Sequence, residues 1–279
     1  MLLLRYAEIG LKGPIVRKRF ESTLRDNILE MFMRDRVEAI VTQRGARFFV
    51  ETEELEKALA IVRRVFGISS VSVVEVCSSR MEDMCAVAAE YSKTRISEGQ
   101  SFAVRARREG SQGYTSLTMG KEIGSAIYTA NEDKGISVSM KDPDVEFFVE
   151  ARDNLAYIFQ SYIRCHAGLP IGTEGRVLGV LDGSERGLVS AWLMMKRGCR
   201  VSAKGSEGSE YLAQYDPLFR ESGPNDDSYG KILGVTLGTD LDDLPDIDVS
   251  KYSVPVFFPT IGMTDEEVHA IAETIRNGI

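Results

Sequence analysis

Val177-Leu178-Gly179-Val180-Leu181, then Asp182-Gly183-Ser184-Glu185-Arg186-Gly187, then Leu188 to Arg197 are three consecutive blocks of different grammar. The first is an unbroken apolar run, the pattern of a strand buried on both faces in a parallel sheet. The second is a Gly-containing loop of the size that holds a phosphate, and the third is a helix that Gly198 ends. Strand, loop and helix in that order open an α/β nucleotide-binding unit. Upstream, Gly168-Leu169-Pro170-Ile171-Gly172 reads as a loop and a domain boundary. Downstream, residues 204–230 are rich in Gly, Ser and Glu and read as loop. Lys231 to Leu237 and Val254 to Phe258 read as strands on either side of an acidic loop, Asp240 to Asp248. Thr264 with Glu267 three residues on is a capping box that starts a last helix.

The first 165 residues follow another pattern. Leu2 to Tyr6 reads as a strand, and residues 14–35 as a helix with Pro14 in its first turn and Phe20, Leu24, Ile28 and Met31 on one stripe. Lys18 and Arg25 point roughly the other way. Val37 to Val50 reads as a hairpin around Arg44-Gly45, followed by a helix over 54–66 burying Leu55, Leu59 and Val62. Val71 to Val76, Ser101 to Arg108, Ser137 to Met140, Val145 to Ala151 and Leu155 to Tyr162 read as strands, the last two joined at Arg152-Asp153-Asn154. Helices are expected over 81–95 and over 118–131, the latter with Met119, Ile123 and Ile127 inward. Without strict alternation of strand and helix, this front half is α+β.

A chain of 279 residues exceeds one ordinary core, so two or three domains are expected. With 43% hydrophobic and 27% charged residues the composition is that of a soluble globular protein. No window approaches 18 uninterrupted apolar residues, so no membrane span is expected, and Met1-Leu2-Leu3-Leu4, stopped by Arg5 and Glu8, reads as a buried strand rather than a signal peptide. Cys77, Cys85, Cys165 and Cys199 lack C-x-x-C spacing, and His166 and His269 lie far apart. That leaves no familiar metal pattern, and reduced, mostly buried thiols of a cytoplasmic protein are expected. The net charge of −8 is unevenly spread: residues 1–50 carry ten Lys/Arg against six Asp/Glu, whereas residues 167–279 carry ten against eighteen. Phosphate contact depends on where cations cluster, and that is the front.

Arg5-Tyr6-Ala7-Glu8-Ile9-Gly10-Leu11-Lys12-Gly13 closely resembles the amino terminus of the tRNA 4-thiouridine synthetase (ThiI-type sulfurtransferase) family. The resemblance continues, in the family's order, through Ser101 to Arg108, Asp142-Pro143-Asp144-Val145, Gly168 to Thr173, Ala191 to Gly198 and Pro259-Thr260-Ile261-Gly262-Met263. It implies a ferredoxin-like domain over 1–52, a THUMP domain over 53–165 and a reduced PP-loop pyrophosphatase-like (Rossmann-like) domain over 173–279. In the family the first two bind tRNA, and the third adenylates a uridine with ATP before a cysteine persulfide delivers sulfur. A link to thiamine biosynthesis is implied as well.

Two cation clusters fit an RNA backbone. Arg105, Arg107 and Arg108 lie on one strand, where residues 105 and 107 share a face and their guanidiniums stand about 7 Å apart, the spacing of successive phosphates. Lys12 lies in a Gly-flanked loop, with Arg17, Lys18 and Arg19 at the start of the next helix. Lys121 and Lys141 are added from their places in the resemblance. Phe102 and Tyr114 read as packing residues, so the surface is expected to lack a stacking platform and to suit a tRNA or tRNA-like stem read by backbone and shape. Both clusters are expected on one continuous track.

The nucleotide loop departs from the family. A working PP-loop reads roughly S-G-G-x-D-S, its backbone amides wrapping pyrophosphate and its Asp organising magnesium. Here Gly183 is kept, but Asp182, Ser184, Arg186 and Gly187 stand where Ser, Gly, Asp and Ser are expected. ATP and magnesium are therefore cofactors only if this remnant binds them, and impaired ATP-dependent chemistry is expected. Only 62 residues separate Gly198 from Ile261, and the chain reaches Ile279 without the stretch where family members carry the sulfur-bearing cysteine. An external sulfur donor is the corresponding expectation. The alternatives are an active tRNA sulfurtransferase and a nucleotide-binding regulatory protein. Sheet edges of a ferredoxin-like domain make a homodimer a further expectation.

Overall fold

The computed structural model describes residues 1–221 and 231–278. Its elements in chain order begin with β1 (Leu2–Arg5), a 3-10 turn (Glu8–Leu11), α1 (Pro14–Arg34), β2 (Ile40–Arg44), β3 (Arg47–Glu51), α2 (Leu55–Arg63) and β4 (Ser70–Val73). Then come β5 (Glu75–Ser78), α3 (Met81–Lys93), β6 (Ser101–Glu109), α4 (Ser116–Ala130), β7 (Ser137–Val138), β8 (Val145–Arg152), β9 (Leu155–Phe159) and β10 (Ile163–Arg164). The last part holds β11 (Arg176–Val180), α5 (Glu185–Lys196), β12 (Arg200–Lys204), α6 (Ser209–Ala213), β13 (Arg220–Glu221), β14 (Val235–Thr236), β15 (Val256–Phe257) and α7 (Asp265–Asn277).

Three five-stranded sheets result, in the orders β10-β4-β1-β3-β2, β5-β9-β8-β6-β7 and β13-β12-β11-β14-β15. The third sheet is parallel at every described pairing. Its order reverses at β11, from which the chain steps first to β12 and later returns to β14. The crevice beyond the carboxyl end of β11 is the topological switch point at which such sheets take ligands. The fold class read from the sequence, an α+β front followed by an α/β domain, is the one observed.

The chain divides into two compact units, Met1–Leu3 with Ser72–Ile163, and Leu4–Val71 with Arg164–Ile279. Residues 53–71 therefore group with 4–52, whereas the sequence reading set its first boundary at 52/53. Phe66, just past α2, belongs to the core of the α/β domain, with its ring 5.2 Å from Trp192 and stacked at 5.4 Å on Tyr215. In the other unit α3 and α4 cover one face of the β6–β8 sheet and bury Met84, Phe102, Met119, Ile123, Ile127 and Phe147.

Several expectations shift locally, each for a stated cause. Val71 to Val76 is two strands: β4 ends at Val73, β5 starts at Glu75, and the Val74 amide donates to the Met1 carbonyl between them. One alternating run can serve two sheets, and a period of two cannot mark the crossing. Helix α2 buries Ala58, Ile61 and Val62, while Leu55 and Leu59 stay half-buried. Both stripes obey the helical period, and Val65 and Phe66 in the next turn select the first. The loop expected over 182–187 closes at Ser184, because the Ser184 hydroxyl accepts from the Gly187 amide and starts α5 three residues early. The expected 204–230 loop contains α6 and β13, and its part over 222–230 lies outside the described residues. The capping box at Thr264 and Glu267 forms as read, with both of its bonds present.

Candidate nucleic-acid interface

Strand β6 presents Phe102 and Val104 to the core, and Arg105 and Arg107 toward the opposite face. Its parallel register on β8 sets Arg105 beside Phe148 and Arg107 beside Glu150. Helix α4 comes close because Gly120 and Gly124 have no side chains; a Cβ at Gly120 would already touch that of Ala106 at 3.4 Å. Between α4, β6, β8 and the Val138–Met140 edge lies a groove of about 1160 Å³, contained within this unit. Leu117, Tyr128, Val138, Met140 and Tyr162 all line it, and all are exposed, Leu117 to 85%. Water-facing apolar groups are thus concentrated in one concave place, which marks an interaction site. Its aromatic wall is ordered: Tyr162 meets Phe148 edge-on at 4.9 Å and Phe159 at 5.1 Å, and Phe148 stacks on Phe159 at 5.3 Å. The Tyr162 hydroxyl reaches the Glu150 carboxylate at 3.4 Å.

The cations named from the sequence are not equivalent. Arg105 lines the groove but is held there: its Nε donates to Glu146 at 2.7 Å and its terminal nitrogen to the Met140 carbonyl at 3.0 Å. Arg108 donates to the Gly110 carbonyl at 2.9 Å and steadies the end of β6. Arg107 and Lys121 are exposed groove residues with no hydrogen bond or ion pair among the described residues. Lys141 is exposed beside Met140. Phe102 is buried, and Tyr114 donates to the Ser79 carbonyl at 2.7 Å, so both are packing residues.

In the other unit, the Arg17 guanidinium donates to the Gly10 carbonyl and pins the 3-10 turn to α1. Lys18 and Arg19 are exposed, with Arg19 lying 5.2 Å over the Phe20 ring and Lys12 at 5.7 Å from the same ring.

Around the β11–α5 turn, the side chains of Asp182, Ser184, Glu185 and Arg186 are all engaged. The Asp182 carboxylate accepts from the Ser184 amide at 3.0 Å and its hydroxyl at 2.6 Å, and Gly183 takes φ +84°. Gly187 donates its amide to Ser184. Arg186 donates to the Thr260 and Met263 carbonyls at 3.2 and 3.1 Å and pairs with Asp265 at 2.6 Å and Asp240 at 3.7 Å. Glu185 is tied to Arg276 and His269. Gly238, two residues past β14, is pressed so closely on this turn that a Cβ would fall 2.1 Å from the Gly187 nitrogen. No group of three or more His, Cys, Asp or Glu side chains among the described residues is placed to hold a metal ion.

All four cysteines are free. Burial pushes the Cys77 and Cys165 thiols up to about 11, and raises Cys85 and Cys199 as well. None is an activated thiolate. No described helix is long and apolar enough to cross a membrane.

Residues 1–72 match the ThiI ferredoxin-like domain and residues 78–160 the THUMP domain. A probable tRNA sulfurtransferase of Methanosarcina mazei is 34% identical over 204 residues, 72% of this chain and 50% of the relative. The chain belongs to the ThiI-type family. A second ThiI-type relative, the probable tRNA sulfurtransferase of Methanothermobacter thermautotrophicus, is 34% identical over 219 residues, 77% of this chain and 54% of its own length. The chain thus spans about half the length of the curated relatives it matches. The crystal structure of PH1313 from Pyrococcus horikoshii superposes with a TM-score of 0.82 at 28% identity, covering 100% of this chain and 99% of that one. A 4-thiouridine synthetase–RNA complex with bound ATP superposes with a TM-score of 0.75 at 22% identity over 98% of this chain and 84% of that one, a likeness of fold.

For this ThiI-type chain, sequence reasoning missed the groove's apolar and aromatic wall. Tyr162 falls where strand β9 was expected to end, and Phe148 looks like one more core residue of an alternating strand. The available signal was Leu117 and Tyr128, which break the polar outer face of α4 at positions off its buried stripe.

Proposed function

We propose that the chain binds tRNA, using the THUMP groove and the cations at the start of α1, and that its α/β domain performs no ATP-dependent chemistry unaided. The groove carries this reading. Single-stranded nucleotides need π-faces for their bases and cations for their phosphates, and Tyr162 with Phe148 lies in the same concavity as Arg107 and Lys121. The relatives' names, probable tRNA sulfurtransferase, supply the class of RNA. A magnesium–triphosphate does not fit the β11–α5 turn: the Ser184 and Gly187 amides are already bonded within the loop, and a guanidinium stands where a metal ligand is needed. The proposal includes an external sulfur donor, a reading supported by the burial that raises the pKa of Cys77, Cys85, Cys165 and Cys199.

The test is electrophoretic binding of total tRNA at two salt concentrations, by the full chain and by an Arg107→Ala/Lys121→Ala variant. Salt-sensitive binding that the double substitution weakens is expected; a variant that binds as well as the parent removes the groove from the interface. The relatives' name also favours a second reading, an active tRNA sulfurtransferase. Robust pyrophosphate release from ATP with unmodified tRNA would establish that reading and end the first.

A further inference from the structure

The turn entering α1 buries Ile9 but leaves Leu11, and Ile15 in the first turn of the helix, facing water. Leu11 is 87% and Ile15 88% exposed, with Val16 half-covered beside them. Single exposed aliphatics are ordinary, but two of this size four residues apart, on a turn locked in place, are a presented surface. The Gly10 amide donates to Ala7 at 3.0 Å, Lys12 to Ile9 at 3.1 Å and Arg17 to Gly13 at 2.8 Å, and the Arg17 guanidinium closes the loop onto the Gly10 carbonyl. Pro14 at the first helical position fixes the remaining torsion. The tip needs no ordering on contact.

Its surroundings are cationic. Lys12, Lys18 and Arg19 flank it, and the nearby carboxylates are occupied: Glu8 pairs with Arg197 and Glu21 accepts from the Tyr6 hydroxyl. We propose that Leu11 and Ile15 seat in the shallow minor groove of double-stranded RNA, against ribose faces, while Lys12, Lys18 and Arg19 hold the bordering phosphates. This rests on the RNA-binding reading above and adds to it a stem contact distinct from the THUMP groove. A-form minor grooves are wide and shallow and offer sugar edges that short aliphatic side chains can cover. An anionic membrane would share the charge preference. However, α1 buries its apolar stripe, Phe20, Leu24, Ile28 and Met31, so it has no face to lay on a bilayer.

The experiment compares the full chain with Leu11→Ser/Ile15→Ser and with Lys18→Ala. Three probes are used: unmodified tRNA, a single-stranded oligonucleotide and phosphatidylserine vesicles. The serine pair should lose about tenfold in tRNA affinity with the slope of log affinity on log salt unchanged, since no phosphate contact is removed. Its affinity for the single strand should stay at the parental value, and Lys18→Ala should instead flatten the tRNA salt slope by about one. If the serine pair binds tRNA like the parent while Arg107→Ala does not, the tip is no contact and this inference fails with the RNA reading intact. If the parent binds no tRNA, the RNA reading itself fails. Vesicle binding by the parent that the serine pair abolishes would replace RNA with a lipid surface as the partner.

Discussion

His166 should make the α/β core acid-labile through one side chain. Its ring lies among Phe66 at 5.8 Å, Trp192 at 5.2 Å and Tyr215 at 5.4 Å, and its Nε2 is buried without a hydrogen-bond partner. Burial, reinforced by Lys196 and Arg63, pushes its pKa down to about 4. In the unfolded chain the same imidazole titrates near 6.5. Above that value both states are neutral and the packed ring contributes its full stability. Between about 6.5 and 4 the unfolded chain binds a proton that the folded one refuses, so stability falls as pH falls. At pH 5 the loss relative to pH 7 is about 2 kcal/mol for this group alone. His166→Phe keeps a ring in the cluster and removes the titration. Trp192, the single tryptophan of the chain, reports urea unfolding of this core directly. The parent should lose about 2 kcal/mol more than His166→Phe between pH 7 and pH 5. Superimposable pH profiles for the two proteins would refute the assignment.

Other consequences are as sharp. Arg107→Ala should lower the salt slope of tRNA binding by about one, and Arg105→Ala by much less, because Glu146 already neutralises Arg105; equal slopes would show that the pair opens on binding. Arg186→Ala should destabilise the chain by about 1–3 kcal/mol in urea, by stripping the donor from the Thr260 and Met263 carbonyls; an unchanged midpoint would make the guanidinium a bystander. Gly238→Ala should cost about 1–3 kcal/mol or prevent folding, since its Cβ overlaps the first turn of α5, and a stable variant would show that the turn yields. Thr264→Ala should cost about 1 kcal/mol in the same assay and little more when Glu267→Ala is added, because the two share one box.

How much could be read in advance depended on the range of the interaction. Helix α1, the β8–β9 hairpin and the Thr264 box are decided by neighbours within a few residues, and each was legible. The crossing at Val74 was not, because it depends on Met1, seventy-three residues earlier in the chain. The cations were found by composition, but their freedom was invisible: Arg105 and Arg107 look alike two residues apart, yet Arg105 reaches diagonally to Glu146 on β8 whereas Arg107, although registered beside Glu150, stays exposed. The aromatic wall was missed for a similar reason. Phe148 and Tyr162 belong to different segments that meet only when β8 pairs with β9 and the chain turns back toward β10.

On the proposed reading, the β11–α5 turn satisfies itself with its own side chains. A helix start at a switch point leaves amides and a positive dipole end that call for an anion. Here the chain supplies its own: the Asp182 carboxylate and the Ser184 hydroxyl take the amides, and Glu185 lies in the first turn. Arg186 then ties this turn to Asp240 and Asp265 and to two carbonyls of the 260–263 segment. On that reading, placing an acidic residue at this position with Arg186→Asp is expected not to create a metal ligand. It would set a third carboxylate against Asp240 and Asp265 with no cation between them, and leave the amides still bonded to Asp182 and Ser184. Urea unfolding should accordingly show Arg186→Asp less stable than Arg186→Ala, with addition of magnesium and ATP shifting neither; stabilisation of the Asp variant by magnesium and ATP would mean the site had only been vacated, not rebuilt.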